Sequence, residues 1–361
     1  MAMNKKITLD HLRKQIDEID KRLINLLNER AKIVQQVAEV KKHNNLPGFD
    51  PSREKKIIDT LQRINTGPLS NKDIESVMRE IFRIYRSLGR PLTIAYLGPA
   101  GTFTHQASLF QFGDKNDYMP CRTIESVFRE VEKGRADYGV VPIENSNEGV
   151  VTHTLDMFVD SDLKITAEII LEIHHFLLSR EKNLTKIKKV YSHIQALGQC
   201  QRWLEENLPG AVLLEAESTA HAVRLAQKEP FSAAIGSEAA AEIYKMNILA
   251  PNIEDFRGNA TRFLVIGTRY SQPSGDDKTS IMFSIKDRVG ALHDMLVPFK
   301  KYNINLTRIE SRPTKKKAWE YIFFVDFEGH KDDANVCKAL ALLEKNCVFL
   351  KILGSYPKGG L

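Results

Sequence analysis

The stretch LDHLRKQIDEIDKRLINLLNERAKIVQQVAEV, residues 9–40, sets Leu9, Leu12, Ile16, Ile19, Leu23, Leu26, Arg30, Ile33, Val37 and Val40 at steps of three and four. That spacing is a heptad seam, and Thr8 or Asp10 stands ready to cap its start. A helix of ~34 residues runs ~50 Å, too long to bury its own seam. Leu-Pro-Gly at 46–48 ends it, and helical patterns follow over about 51–65 and 71–89. The expectation is an all-helical module that dimerises through its long helix.

Beyond Arg90-Pro91 the pattern changes. Short apolar runs at Leu92–Leu97, Tyr138–Ile143, Val190–Tyr191, Ala211–Leu214 and Ala233–Ile235 alternate with amphipathic stretches, the mark of α/β architecture with mostly parallel strands. Residues 92–268 suffice for two lobes, closed by a return strand at Thr261–Gly267. The polar run RYSQPSGDDK then reads as a linker over 269–278. After it come strand 279–285, helix 290–301, strands 304–312 and 318–328, helix 332–345 and strand 347–352, a ferredoxin-like βαββαβ order.

Composition sets the outer bounds. The 361 residues are 42% apolar and 27% charged, which excludes disorder and fibrous repeats. No apolar run nears the ~20 residues of a membrane span. Lys5-Lys6 leads into a polar stretch unlike a secretory signal, and Cys121, Cys200, Cys337 and Cys347 lack metal-type spacing. A reducing, cytoplasmic location is expected. The net charge of +6 sits in residues 1–90, where 19 Lys and Arg face 12 Asp and Glu; the rest of the chain holds 33 against 34. That excess suits a nucleic acid or a small polyanion.

Arg30 breaks an otherwise aliphatic seam, and Lys41 lies three turns on, near the same face. A cation there must pair with a carboxylate such as Glu54 or hold an anion. Arg13 points away and suits a site across a dimer. These residues, with LRKQIDEIDKRLINLLNER (12–30) and the D-x-x-R-E of Asp50, Arg53 and Glu54, resemble the all-helical chorismate mutases. The resemblance implies that Arg13, from a partner subunit, and Arg30 bind the substrate carboxylates, and that Lys41 meets the ether oxygen. Asp50 and Glu54 would serve the hydroxyl side, with Arg53 beside them. Gly89 replaces the family's Gln or Glu, and Tyr85 a small residue. A mutase module kept only for dimerisation is therefore the nearest rival reading.

The central region carries GPAGTFTHQA (98–107), VVPIENSNEGVV (140–151), YSHIQALGQC (191–200) and NATRF (259–263). A Gly-rich turn opening a helix offers N–H groups to a carboxylate, and strand C-termini are where open α/β sheets bind ligands. In order and spacing these motifs, with ESTAHAV (217–223) and AAIGSEAA (233–240), resemble prephenate dehydratase. That family has two lobes of periplasmic-binding-protein type with the site between them. The resemblance implies Thr261 as the catalytic residue, and Glu144, Asn145, Ser146, Ser192, His193 and Arg262 as substrate-binding neighbours. Arogenate stays open as an alternative substrate.

Gly290, Ala291, Leu292 and His293 open a helix, and LTRIESRP (306–313) includes Glu310, Ser311, Arg312 and Pro313. With the closing VFLKILGSYP they resemble the ACT regulatory domain, in which the equivalents bind phenylalanine at a dimer interface. The whole chain resembles the bacterial bifunctional chorismate mutase/prephenate dehydratases: helical module 1–90, dehydratase domain 92–268, linker 269–278 and ACT domain 279–357. The resemblance implies chorismate and prephenate as substrates, phenylalanine as effector, and a homodimer or higher homo-oligomer, with no metal or organic cofactor, no nucleic acid and no membrane. A non-enzymatic amino-acid sensor is the rival of another class; a nucleic-acid-binding regulator lacks a recognition motif.

Overall fold

The computed structural model describes residues 8–44, 46–86, 88–285, 288–313 and 321–359. The N-terminal Lys5-Lys6 and the first residues of the strand expected at 318–328 lie outside that range. α1 (Leu9–His43) is capped by the Thr8 side chain, which accepts from the His11 N–H. α2 (Pro51–Ile64) starts from Asp50, whose carboxylate accepts from the Arg53 N–H at 3.0 Å. α3 (Asn71–Arg86) opens on a reciprocal box in which Ser70 N–H donates to Asp73 and Asp73 N–H to Ser70 Oγ. Ile58, Phe82 and Tyr85 are buried in these helices, whereas α1 buries none of its residues. The heptad seam thus stands in solvent, from Leu12 at 43% exposure to Leu9 at 62%.

The first lobe of the central domain contains β1 (Thr93–Leu97), α4 (Phe103–Phe112), β2 (Asp117–Cys121), α5 (Ile124–Glu132), β3 (Tyr138–Asn145), β4 (Gly149–Val150), α6 (Thr152–Asp160) and β5 (Lys164–Glu172). The chain then crosses into a second lobe: β6 (Phe176–Ser179), β7 (Lys189–Ser192), α7 (Ile194–Gln199), α8 (Gln201–Asn207), β8 (Val212–Glu215), α9 (Thr219–Lys228), β9 (Ser232–Gly236), α10 (Glu238–Tyr244) and β10 (Asn247–Ala250). It returns as β11 (Ala260–Gly267). The sheets run β2-β1-β3-β11-β5, with β4 beside β3, and β10-β6-β9-β7-β8. They are more mixed than the sequence suggests: β1 pairs β2 and β3 in parallel, but β11 lies antiparallel between β3 and β5. That placement puts Thr261 beside Asn145 in register.

The C-terminal domain comprises β12 (Asp277–Ser284), α11 (Ala291–Lys301), β13 (Leu306–Pro313), β14 (Tyr321–Glu328), α12 (Ala334–Asn346) and β15 (Phe349–Pro357), with sheet order β13-β14-β12-β15. This is the expected ferredoxin-like motif. One face of the sheet packs on its own helices through Phe283, Met295, Phe299 and Leu343. From the other, Met282, Ile322, Phe324, Leu353 and Tyr356 enter the same core as Phe158, Ile165 and Leu264 of the first lobe. Gly354 permits this approach, since a Cβ there would overlap the Ile165 carbonyl oxygen. Nor does the expected linker swing free. Ser271 Oγ donates to the Thr166 carbonyl, and buried Asp277 accepts from Ser274 N–H and Oγ at 2.7 Å. Ser271, Ser274 and Asp277 are thus buried and bonded in the joint, while Arg269, Gln272 and Asp276 face water.

Candidate active sites

Between the lobes the chain assembles a directional chain of side-chain amides. Asn145, at the end of β3, accepts at Oδ1 from the N–H groups of Asn147 and Glu148 at 2.9 and 3.0 Å. That fixes its amide, and Nδ2 donates to Thr261 Oγ1 at 2.8 Å and to Asn259 Oδ1 at 2.8 Å. Asn259, 4% exposed, passes the chain to Gln199 Oε1 at 3.0 Å, which also meets His175 Nε2 at 2.7 Å. Gln199 and Gln195 both donate to Glu148, which ties the second lobe to the first. Because Thr261 Oγ1 accepts from Asn145, its own hydrogen remains available to donate.

Ser146 brackets the same turn, with Ala260 N–H donating to its Oγ at 3.0 Å. His193 caps α7, its Nδ1 accepting from Gln195 N–H. Ser192 is buried and donates to the Ile235 carbonyl at 3.0 Å, a bond that fixes the end of β7. His175 is buried with Nδ1 unpartnered, and burial holds its pKa below the usual range. Its neighbour His174 is pulled the other way by its hydrogen bond to Glu254. Asn259, Gln199 and His175 were not singled out from sequence, although the first two lie inside quoted motifs.

The Gly-Pro-Ala-Gly turn does different work from the one expected. The Gly101 N–H donates to His105 Nδ1 at 3.2 Å, so it is not free for a carboxylate. Across the lobes, Ser237 Oγ donates to the Gly101 carbonyl and Tyr244 OH to that of Ala100. Gly101, at φ 85°, has Tyr244 and Ala240 so close that a side chain would not fit.

Glu144 and Arg262 also depart from expectation. In a pleated strand alternate residues face opposite sides, and these two neighbours of Asn145 and Thr261 point to the C-terminal domain. Glu144 meets Arg308 Nε at 3.2 Å. Arg262 donates to Glu168 at 2.7 Å, Asp326 at 2.6 Å and Tyr356 OH at 3.0 Å. Burial opposes its charge, but Tyr356, Asp326 and Glu168 outweigh that and raise its pKa. A guanidinium so enclosed is not a carboxylate clamp for a ligand in the cleft.

In the helical module, Arg30 pairs with no carboxylate among the described residues. Its guanidinium lies 4.8 Å from the Tyr85 ring centroid and 5.5 Å from that of Phe82, and Tyr85 OH donates to the Leu27 carbonyl at 2.6 Å. Glu54 instead takes a two-point bond from Arg86, at 3.0 and 2.6 Å. Lys41 Nζ reaches the Gly48 carbonyl at 3.4 Å, Asp50 is the α2 cap, and Arg53 is exposed. Arg13 is also exposed, with only a 3.8 Å pair to Asp10 on its own helix. One chain therefore holds a partial site around α1, α2 and α3, with Arg13 outside it.

In the C-terminal domain Gly290, at φ 75°, starts α11 without a side-chain cap, Ala291 is buried, and Leu292 and His293 are exposed. Glu310, Ser311, Arg312 and Pro313 lie on edge strand β13. Arg312 reaches Asp156 of α6 at 3.2 Å, so this residue faces the first lobe of the central domain.

Together these features define an enzyme with a two-lobed α/β cleft, carried between a helical module and a small regulatory-type domain. Family models match in the same order: chorismate mutase type II over residues 12–90, prephenate dehydratase over 94–271 and the ACT domain over 279–341. The bifunctional chorismate mutase/prephenate dehydratase of Aquifex aeolicus is 51% identical over 354 residues, 97% of this chain and 98% of that one. The chain belongs to the bifunctional chorismate mutase/prephenate dehydratase family. Among solved structures, the prephenate dehydratase from Arthrobacter aurescens in complex with L-Phe has a TM-score of 0.69 and 35% identity, over 74% of this chain and 90% of that one. A structure described as a quorum quenching acylase, GqqA, reaches a TM-score of 0.67 at 28% identity, over 73% of this chain and 97% of that one.

Proposed function

We propose that the two sites work in sequence, chorismate to prephenate in the helical module and prephenate to phenylpyruvate in the cleft, under feedback by phenylalanine. The observation that carries the second step is the Asn145–Thr261 hydrogen bond, which leaves the threonine hydrogen free. In the reaction, the ring carboxylate leaves as carbon dioxide, its bonding electrons aromatise the ring, and the ring C–O bond breaks. The departing hydroxide gains a proton and becomes water. Thr261 donates a hydrogen bond to that oxygen; a threonine hydroxyl is too weak an acid to act as full proton donor. Asn145, Ser146, Ser192 and His193 frame the substrate.

The mutase step is a unimolecular rearrangement that needs a held conformer and positive charge at the breaking ether bond. Lys41 supplies the charge at the ether oxygen, Arg30 and Arg13 from a second copy hold the carboxylates, and Asp50 and Glu54 serve the hydroxyl side with Arg53 beside them. The exposed seam of α1 supports a dimer. We divide the chain at 90, 268 and 278 and place the phenylalanine site at Gly290–His293 and Glu310–Pro313, between two copies. No described helix is long and apolar enough to cross a membrane, which agrees with a cytoplasmic enzyme.

The test is a coupled assay of the full chain on chorismate and, separately, on prephenate, each with and without phenylalanine. Phenylpyruvate from both, suppressed by phenylalanine, is the expected result. Turnover of prephenate alone would leave the helical module as scaffold, and turnover of neither would overturn the reading.

A further inference from the structure

The catalytic pair and the C-terminal domain are attached to opposite faces of the same two strand ends. Asn145 and Thr261 face the cleft. Their sequence neighbours Glu144 and Arg262, partners in register, face the other way. Arg262 is held by Asp326 of β14 and Tyr356 of β15, together with Glu168 of β5. Glu168, wholly buried, also binds Lys278 Nζ at 2.8 Å and the Gly359 N–H at 2.9 Å. Ser280 closes the cluster, 2.6 Å from both Asp326 and Tyr356. Beside it, Glu144 binds Arg308 of β13, the strand that also carries Glu310–Pro313.

We propose that Arg262 and Glu144 are positioning residues, through which the seating of the C-terminal domain sets the geometry of the Thr261–Asn145 pair. A strand is stiff along its length, so a shift of Arg262 on one pleat displaces Thr261 on the next. Among the described residues, Arg308 Nη2 is buried with no hydrogen-bond partner, beside a void of about 10 Å³ between the domains, and an unsatisfied donor there makes the joint sensitive to how the C-terminal domain is seated. The buried cluster is worth little as net stability, since desolvation offsets its attraction. Its effect is orientation: each of the three guanidinium nitrogens of Arg262 donates to a fixed acceptor.

This inference rests on Thr261 being the catalytic residue, and the experiment separates the two. Tyr356→Phe removes one hydroxyl at constant shape, and Arg308→Gln releases Glu144; both lie outside the cleft. In the full chain, each is expected to lower kcat on prephenate by about 10-fold with KM within about twofold, because the misplacement acts on the reacting group. Each also shifts the half-inhibiting phenylalanine concentration by at least about 5-fold. Mutase turnover by the same chain and the melting profile report folding. Combining Tyr356→Phe with Arg262→Lys is expected to be no worse than Arg262→Lys alone. If both single variants keep kcat and phenylalanine response within about twofold while Thr261→Ala is inactive, the coupling is wrong and the catalytic reading stands. If Thr261→Ala retains full turnover, both fall.

Discussion

Asn145 donates to Thr261, not the reverse: its Oδ1 is committed to the N–H groups of Asn147 and Glu148, so only Nδ2 can face the hydroxyl. The direction of this bond decides what Thr261 can do. Asn145→Asp would present an acceptor and turn the threonine hydrogen away from the substrate. Dehydratase kcat is expected to fall about 100-fold, as for loss of an oriented donor. Thr261→Ser, which keeps the hydroxyl, should retain far more activity than Thr261→Ala. Steady-state assays on prephenate check both.

Arg30 lies against the rings of Phe82 and Tyr85, an arrangement that suits a flat guanidinium better than an ammonium. Arg30→Lys should therefore cost mutase kcat/KM by at least about 10-fold despite preserving charge. Gly89 is harder to restore than its sequence suggests. A Cβ there would sit 3.3 Å from Ala38 Cβ, a contact that α1 must yield to by a few tenths of an ångström, so Gly89→Gln is expected to raise chorismate turnover more when combined with Ala38→Gly.

His105 is buried against Tyr96, and burial pushes its pKa down to about 4 from 6.5. The unfolded chain takes up the proton first, so this contribution is complete above about pH 6.5 and is lost as pH falls toward 4. The full loss amounts to about 3 kcal/mol. Melting temperatures recorded between pH 7 and 4 should fall, and less steeply in His105→Gln.

The unburied seam of α1 predicts association. Ile19→Glu with Leu23→Glu, both exposed in the single chain, should leave α1 helical yet shift sedimentation from dimer to monomer and abolish mutase turnover. An unchanged sedimentation coefficient would remove the seam as the interface.

Gly354 lies against the Ile165 carbonyl, where any Cβ overlaps backbone. Gly354→Ala should destabilise the joint between the cleft domain and the C-terminal domain by about 2 kcal/mol or more, seen as a lower urea midpoint.

The heptad seam, the βαββαβ order and the cleft motifs were legible because periodicity and turn chemistry are local properties. The long helix ends within a few residues of expectation, and of the two capping candidates, Thr8 and Asp10, it is Thr8 that caps it. β5, β6 and β10 were not read as strands, and the share of parallel pairing was overestimated, because pairing direction depends on which segment lies alongside. The deeper misreading was Arg262. The sequence by itself determined three modules in order and the residues at the strand ends. The tertiary structure alone decided which way each side chain faces, because successive residues of a strand point to opposite sides. Which side holds the cleft and which the C-terminal domain is set by packing against segments distant in the sequence, those that carry Arg308, Asp326 and Tyr356. That is why Thr261 stands in the cleft while Arg262, one residue on, belongs to the joint.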